Sequence, residues 1–267
     1  MLSVRALGSG SKGNAVLVQN GATRILVDCG LPIKELTKRL LKVQVTLAEL
    51  DGVVITHEHD DHIKSLMELS EGYRIPVYLH RQVNSLLKSK LHLTATSPFD
   101  TPEPFSVGTI EITPFRTSHD AVHPLGYTLT DTDSKVLYAT DLGFVPPRIL
   151  DEAKDANVVF LESNHDLQML KNGRYPAFLK QRILSDRGHL SNEDCARAIL
   201  EMCGWGPKHF ILGHLSEENN LPEIAYWETV HCLESKGGKQ NRDFTVHVAS
   251  QREVLEELRC NDEFMEK

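Results

Sequence analysis

Apolar and polar positions follow two kinds of spacing along this chain. Short runs rich in Val, Ile and Leu predict β-strands, whereas apolar residues spaced three and four apart predict amphipathic helices. The predicted strands cover residues 2–7, 15–19, 23–28, 52–56, 77–79, 105–107, 109–116, 125–131, 135–140, 157–161, 208–212 and 244–248. The predicted helices cover residues 32–42, 63–69, 81–90, 146–154, 176–185, 191–203 and 222–236, and residues 98–104 are predicted to form a turn.

Strands and helices are interspersed in both halves of the chain, which is typical of an α/β (α+β) fold. No internal repeat, low-complexity tract or long linker divides the sequence. A chain of 267 residues is long enough to bury a substantial core. We therefore predict one domain that spans residues 1–267.

A glycine-rich loop follows the first predicted strand. Residues 8–14 contain a G-x-G-x-x-G pattern, which binds dinucleotides where a helix follows the glycines. Here a second strand follows, and Asn20-Gly21 predicts a hairpin to the third strand, so a dinucleotide site is not expected. Two alternatives remain. The loop, with Lys12 and Asn14, presents backbone N–H groups to a substrate phosphate, or it is simply a flexible turn.

Composition limits the classes of partner and the compartment. The formal net charge is −8, so no general attraction to nucleic acid is expected, although a local basic groove is compatible with this charge. The five cysteines form no C-x-x-C motif, which indicates reduced thiols in a cytoplasmic protein. No apolar run is long enough to span a membrane, and we expect no membrane partner.

The strongest chemical signal is the hexapeptide His57-Glu58-His59-Asp60-Asp61-His62, which directly follows an apolar strand. His57 and His59 are two residues apart in extended backbone, so they project to the same side and can bind one ion. Asp61 and His62, on the turn into the next helix, can face a second ion. A zinc-protease helix is excluded, because H-E-x-x-H requires His where Asp61 stands. Mixed imidazole and carboxylate ligands predict a hydrolytic centre for zinc, manganese or iron.

Further candidate ligands stand where other predicted strands end. His119, Asp141 and His214 each follow such a strand. A strand fixes the position of the residue that follows it, while the loop stays open to substrate. Together with the hexapeptide, these three residues predict a metal centre with more than one ion.

This ordered set of motifs resembles the metallo-β-lactamase-fold hydrolase superfamily, and the resemblance covers nearly the whole chain. It implies a four-layer αββα sandwich with a two-metal site along one edge of the paired sheets. It also implies a role for each motif residue: His57, His59 and His119 bind the first ion; Asp61, His62 and His214 bind the second; Asp141 bridges them; and Asp28 supports the His-rich loop from behind the ligands.

The mechanism expected of such a site is hydrolytic. Two ions a few ångströms apart lower the pKa of a bridging water, so hydroxide is available near neutral pH. Asp61 is expected to orient this nucleophile as well as to bind metal. With a phosphodiester substrate, one ion holds a non-bridging oxygen while hydroxide attacks in line.

Several stretches are similar to the YycJ/WalJ-type branch of the superfamily, which is linked to DNA processing and nuclease activity. They comprise residues 8–14, 28–30, 162–166, 188–192 and 212–216 with Asn219-Asn220. The stretch Gly188-His189-Leu190-Ser191 is also similar to the His-x-Ser element with which nucleases of the ribonuclease J type hold a phosphate. Residues 142–213 leave no room for the large extra domain of those nucleases. We expect His189 to bind phosphate, and Ser191 either to contact substrate or to cap the helix over 191–203.

The substrate class has alternatives. A phosphodiesterase acting on DNA is the leading hypothesis, and the locally basic segment 171–187, with Tyr175 and Phe178, suits single-stranded ends. That segment is equally interpreted as a solvated helix with Phe178 facing the core. A small-molecule hydrolase, for a thioester of the glyoxalase II kind or a cyclic phosphodiester, is the enzymatic alternative. A scaffold that keeps the fold without turnover is disfavoured by the full ligand set.

Overall fold

The amino-terminal strands are joined by tight polar turns. In the computed structural model, which describes residues 1–262, β1 (Ser3–Gly8), β2 (Ala15–Gln19) and β3 (Arg24–Val27) pair antiparallel. Between β2 and β3 lies the predicted hairpin turn, where Asn20 Oδ1 accepts hydrogen bonds from the N–H groups of Ala22 and Thr23 at 3.1 and 2.9 Å. Such local bonding by an Asn side chain stabilises the turn and with it the register of the hairpin.

Within residues 1–262, the first sheet has seven strands. It adds β4 (Gly52–Val54), β5 (Val77–His80), β6 (Thr96–Phe99) and β14 (Leu258–Arg259), in the order β14-β1-β2-β3-β4-β5-β6. Strands β3 to β6 are parallel. Parallel neighbours require crossover connections, which here run over the outer face of the sheet.

The second sheet also has seven strands in the described part of the chain. They are β7 (Phe105–Val107), β8 (Ile110–Arg116), β9 (Leu125–Thr130), β10 (Lys135–Ala139), β11 (Val158–Glu162), β12 (His209–Gly213) and β13 (Thr245–Val248), in the order β13-β12-β11-β10-β9-β8-β7. Strands β10 to β13 are parallel. Their carboxyl ends therefore meet at one edge, the place where α/β sheets commonly bind ligands.

Eight α-helices lie within the described residues. They are α1 (Ile33–Lys42), α2 (Asp60–Ile63), α3 (Arg81–Lys88), α4 (Pro147–Ala153), α5 (Leu167–Asn172), α6 (Ala177–Ile183), α7 (Asn192–Cys203) and α8 (Pro222–Glu234). Helices α4 and α8 begin with Pro, whose missing N–H group is tolerated in the first turn. None of these helices has the length and apolar character that a membrane span requires.

Three apolar clusters separate four layers. Between the sheets, Tyr127 and Phe160 of the second sheet share a cluster with Val18 of the first. On the outer face of the first sheet, α1 and α3 contribute side chains such as Leu36 to a second cluster. On the outer face of the second sheet, α4, α7 and α8 contribute side chains such as Ile199 to a third. The predicted four-layer αββα arrangement is confirmed.

The helix predicted over 63–69 is confirmed only in part, because a turn at residues 64 and 65 interrupts it before residues 66 and 67 become helical again. Helix α2 already ends at Ile63, and a π-helical turn covers Glu68–Gly72. The carbonyl oxygen of Asp61 accepts a hydrogen bond from the N–H group of Asn14 at 2.8 Å, so it is engaged outside the helix. The contact with the glycine-rich loop therefore competes with continuation of α2 just beyond the His-rich motif.

Three short elements were missed, namely β6, β14 and α5. Strand β6 reaches into residues 98–104, which were predicted to be a turn. It lies at the edge of its sheet and contains Pro98, and Pro is tolerated in a strand mainly at an edge. Neither β14, with two residues, nor α5, with six, is long enough to show a period.

Candidate metal centre

The candidate ligands lie in the loops that follow strands or, for Asp61 and His62, in the short helix α2 after such a loop. Asp28 follows β3, the His57–His62 motif follows β4, and His119, Asp141 and His214 follow β8, β10 and β12. Three of these residues have left-handed backbone conformations, with φ of 59° at Asp28, 60° at Asp141 and 55° at His214. Such conformations are uncommon for residues other than glycine, and they concentrate at functional sites.

Three imidazoles form the first ligand group. His57 Nε2 lies 3.0 Å from His59 Nδ1, and His59 Nδ1 lies 3.3 Å from His119 Nε2. His57 and His119 are almost fully buried. Burial lowers the pKa of His57 well below its usual range, with the positive field of His62 as a further cause. The neutral imidazole favoured in this way is the form that binds metal.

Asp61, His62 and His214 form the second ligand group. Asp61 Oδ2 lies 3.4 Å from His62 Nε2 and 3.3 Å from His214 Nε2. Although burial opposes ionisation, the neighbouring His62 and His214 lower the pKa of Asp61 far below its usual value. The Asp61 carboxylate is therefore charged at neutral pH.

Asp141 lies between the two groups. Its Oδ1 atom is 3.6 Å from both His119 Nε2 and His214 Nε2, and its Oδ2 atom is 3.3 Å from His62 Nε2. Oδ2 is buried and has no hydrogen-bond partner among the described residues. A buried carboxylate oxygen without a partner, surrounded by imidazole nitrogens, fits a divalent cation. All seven predicted ligands thus come together in one centre.

Asp28 holds the His-rich loop from behind. It accepts a hydrogen bond from His62 Nδ1 at 2.8 Å, and it also accepts bonds from the backbone N–H and hydroxyl groups of Thr56 at 2.8 and 2.9 Å. Burial raises the pKa of Asp28, while His62 opposes this effect. The contact at Nδ1 leaves His62 Nε2 directed at the second group, which is the expected use of a carboxylate beside a ligating imidazole.

Glu162, at the end of β11, was not predicted to have a role. Its Oε1 atom accepts hydrogen bonds from His189 Nδ1 at 2.8 Å and from His214 Nδ1 at 2.9 Å. Its Oε2 atom accepts bonds from the N–H groups of Leu142 and Leu190 at 2.7 and 3.1 Å. Burial opposes ionisation, but the two imidazoles lower the pKa of Glu162 to about 2. A charged residue at the end of an otherwise apolar strand was the available signal.

His189 lies at the centre but is not among the predicted ligands. Its ring stacks on that of His214 with a centroid distance of 5.2 Å, and its side chain is 16% exposed. It borders the same cleft as the ligands Asp141 and His214. With Nδ1 engaged by Glu162, its Nε2 atom remains for substrate.

The other predicted substrate contacts are placed differently. The Asn14 side chain is 0% exposed, and it bonds Gly10 and Asp61 at 2.8 to 3.3 Å. This corrects its predicted role, because it holds the glycine-rich loop against Asp61 instead of facing substrate. Ser191 is 2% exposed and accepts a hydrogen bond from Asp194 N–H at 3.1 Å. Of the two roles considered for Ser191, the structure shows the helix cap, here on α7.

Lys12 remains on the surface. Its side chain is 68% exposed and forms an ion pair with Glu217. Among other histidines, His123 stacks on His80 with a centroid distance of 3.3 Å and does not join the ligand groups. His165 is buried and belongs to none of these groups either.

A cleft of about 670 Å³ opens over the centre. One wall of its lining carries Leu86 and Lys90 from α3 and the turn after it, and another wall carries Tyr175, Leu179 and Arg182 from α6 and the residues just before it. The interpretation of Phe178 as a core residue is wrong, because its side chain is 72% exposed and lies outside this lining.

Comparison with known proteins gives consistent results. A family profile described as "Beta-lactamase superfamily domain" matches residues 23–215. The exodeoxyribonuclease YycJ of Bacillus anthracis is 38% identical over 92% of this chain and 94% of its own. The exodeoxyribonuclease WalJ of Streptococcus pneumoniae is 36% identical over 91% of this chain and 93% of its own. The crystal structure of the metallo-β-lactamase fold protein YhfI from Bacillus subtilis has a TM-score of 0.74 at 21% identity, covering 96% of this chain and 100% of that chain, which concerns the fold alone.

Proposed function

This chain belongs to the β-lactamase superfamily, in the family of the YycJ and WalJ exodeoxyribonucleases, and on that premise we propose that it is a two-metal phosphodiesterase that removes nucleotides from the ends of DNA. The observation that carries this proposal is the joined pair of ligand groups beside His189 in one open cleft. The names of both relatives supply the DNA substrate. These two relatives match 92% and 91% of this chain, so we assign the same substrate class to it.

The residues that would hold the ions are those of the two groups. His57, His59 and His119 would bind the first ion, Asp61, His62 and His214 the second, and Asp141 would bridge them. Zinc or manganese suits these ligands best, and iron suits them as well. When bound, two divalent ions supply an activated water and neutralise charge on the phosphoryl group.

Asp61 and His189 orient the attacking water and bind the phosphate. The Asp61 carboxylate stays ionised and is 25% exposed to the cleft, so it can accept a hydrogen bond from the attacking water and orient it. His189, held through Nδ1 by Glu162, contacts a phosphate oxygen through Nε2. Water attack and phosphate binding thereby occur at adjacent points of one cleft.

The setting of the reaction is part of the same proposal. All five cysteines are free, and unpaired thiols are typical of a reducing compartment, so we place the enzyme in the cytoplasm. We also propose DNA as its macromolecular partner, because both relatives are named exodeoxyribonucleases.

The decisive experiment measures nucleotide release from single- and double-stranded DNA and from RNA, with Zn²⁺ and Mn²⁺ supplied separately. We expect release from DNA that is abolished in Asp61→Ala and reduced about 100-fold or more in His189→Ala, as for loss of one group that stabilises charge in the transition state. His92→Ala is the matched control, because His92 is 75% exposed and, within residues 1–262, pairs only with Glu71 on the surface. Turnover of a thioester or a small phosphodiester, without cleavage of any polymer, would show that DNA is not the substrate.

A further inference from the structure

The cleft above the candidate centre has a volume and a lining that suit one nucleotide. Its volume of about 670 Å³ lies within the range of roughly 300–1,000 Å³ that pockets for drug-sized ligands occupy. A nucleotide is a ligand of that size, whereas a base-paired end is a much broader body. The reacting phosphate must also reach ligands such as His62 and Asp141, which are only 0% and 2% exposed.

The two walls offer complementary contacts to a single nucleotide. Tyr175 and Leu179 of the α6 wall and Leu86 of the α3 wall line one cleft, so an aromatic ring and apolar side chains border the same space. Base stacking on aromatic side chains, with cations along the backbone, is the usual way in which proteins bind unpaired strands. Lys90 supplies such a cation at the rim, and it forms no ion pair within residues 1–262.

The wall that carries Tyr175 is tied to the metal loop. Arg182 Nε and Nη2 donate to the two carboxylate oxygens of Asp120 at 2.6 and 2.9 Å. Asp120 Oδ1 in turn lies 3.3 Å from His119 Nε2. A bidentate pair of this kind fixes orientation as well as distance. Helix α6 therefore holds a defined position over the centre, so a base stacked on its side of the cleft keeps a fixed relation to the phosphate.

We propose that the enzyme accepts only an unpaired terminal nucleotide, which lies between α3 and α6 with its base on Tyr175 and a phosphate near Lys90. A duplex is therefore a substrate only after its terminal pairs open. This inference rests on the proposed function, since it names the form in which DNA enters the same site. Enzymes that must reach a nucleotide within a duplex commonly extrude it in this way.

The first test compares duplexes that differ only in their last three pairs, which are G·C, A·T or mismatched. We expect the mismatched end to be degraded fastest and the G·C end slowest, by about tenfold for each pair that must open. Equal rates at all three ends would overturn the inference while leaving the nuclease proposal intact. No release from any DNA, alongside turnover of bis(p-nitrophenyl) phosphate, would overturn both the inference and the choice of DNA as substrate.

The second test uses wall variants on single-stranded DNA. We expect Tyr175→Ala to raise KM about tenfold, the usual effect of losing one stacking platform, and Tyr175→Phe to restore it. Phe178→Ala is the matched control, since Phe178 is an exposed aromatic residue of α6 outside the cleft. Lys88→Gln is the matched control for Lys90→Gln on the other wall. A KM unchanged in both Tyr175→Ala and Lys90→Gln would contradict the proposed contacts.

Discussion

Glu162 links two histidines that have different tasks. One of its oxygens accepts from both His189 and His214, while the other accepts from two backbone N–H groups, of Leu142 and Leu190. A single carboxylate thus orients the candidate phosphate-binding ring and a candidate ligand ring. Because its pKa is about 2, it stays charged throughout the pH range in which a nuclease of this kind is assayed.

Replacement of this carboxylate tests whether it positions both rings. In Glu162→Gln the amide is neutral and can accept through only one atom, so both imidazoles lose their charged partner. We expect kcat and metal affinity each to fall about ten- to a hundredfold, as is typical when a partner of a ligating histidine is removed. Activity assays and titration with a zinc-binding dye measure the two effects.

A matched variant exists on the surface. Glu71 accepts from His92 at 3.1 Å, and that His is 75% exposed, so Glu71→Gln breaks an equivalent pair away from the centre. It should leave kcat and metal affinity unchanged. Wild-type metal affinity in Glu162→Gln would mean that His214 is positioned by its other contacts.

Whether the role of a residue could be predicted depends on how much of its position is set by nearby sequence. The ligands could be inferred because each lies within a few residues of the end of an apolar strand, so local sequence largely fixes its place. Asn14 could not be assigned, because its contact is with Asp61, which is 47 residues away. Glu162 was missed because its partners, His189 and His214, lie in separate loops. Local sequence does not show which loops contact each other, because those contacts form only in the folded chain.

At the scale of elements, the short segment 163–166 connects two parts of the site. Its backbone bonds Gly213 through Ser163 N–H and Leu190 through Asn164 N–H, both at 2.9 Å. It therefore ties the loop that carries His214 to the stretch before α7. Within this segment His165 is buried, and both of its ring nitrogens lack a hydrogen-bond partner among the described residues.

This segment should make stability depend on pH. Burial lowers the pKa of His165 to about 4, from the usual value of 6.5 for histidine, so the folded state favours the neutral ring. The unfolded chain then binds more protons between these values, and stability is lost as the pH falls from 6.5 towards 4, by up to about 3 kcal/mol. Urea unfolding at pH 7, 6, 5 and 4.5 measures this slope.

Comparison of wild type with a His165 variant tests whether His165 causes the slope of stability against pH. His165→Phe removes the titrating group, so its stability should fall less over the same interval, and the difference from wild type should grow as the pH is lowered. His92→Phe serves as the control, because that ring is 75% exposed and its replacement should leave the profile unchanged. Parallel profiles for wild type and His165→Phe would contradict the assignment.

At the scale of the whole molecule, the ligands come from both sheets. The first sheet supplies the His57–His62 motif and Asp28, whereas the second supplies His119, Asp141 and His214. The order of strands and helices predicted the layers, because alternation of apolar and polar residues reports which face is buried. Strand order within each sheet depends on crossovers that no local pattern records. Bound ions would therefore add a further link between two layers that already meet through the apolar cluster and through hydrogen bonds, such as the one from Leu125 N–H to the Thr56 carbonyl at 3.1 Å.

Metal removal should consequently lower the stability of the whole fold. At a hundredfold excess over its Kd, each ion that binds only the folded state adds about 2.7 kcal/mol, or roughly 5–10 °C in Tm for a chain of this size. We expect Tm to fall by at least this amount when EDTA is added, and to recover with Zn²⁺ or Mn²⁺. In Asp141→Asn, which weakens the carboxylate between the groups, the response to metal should be smaller. A Tm that is identical with EDTA and with either metal would contradict binding of ions across the two sheets.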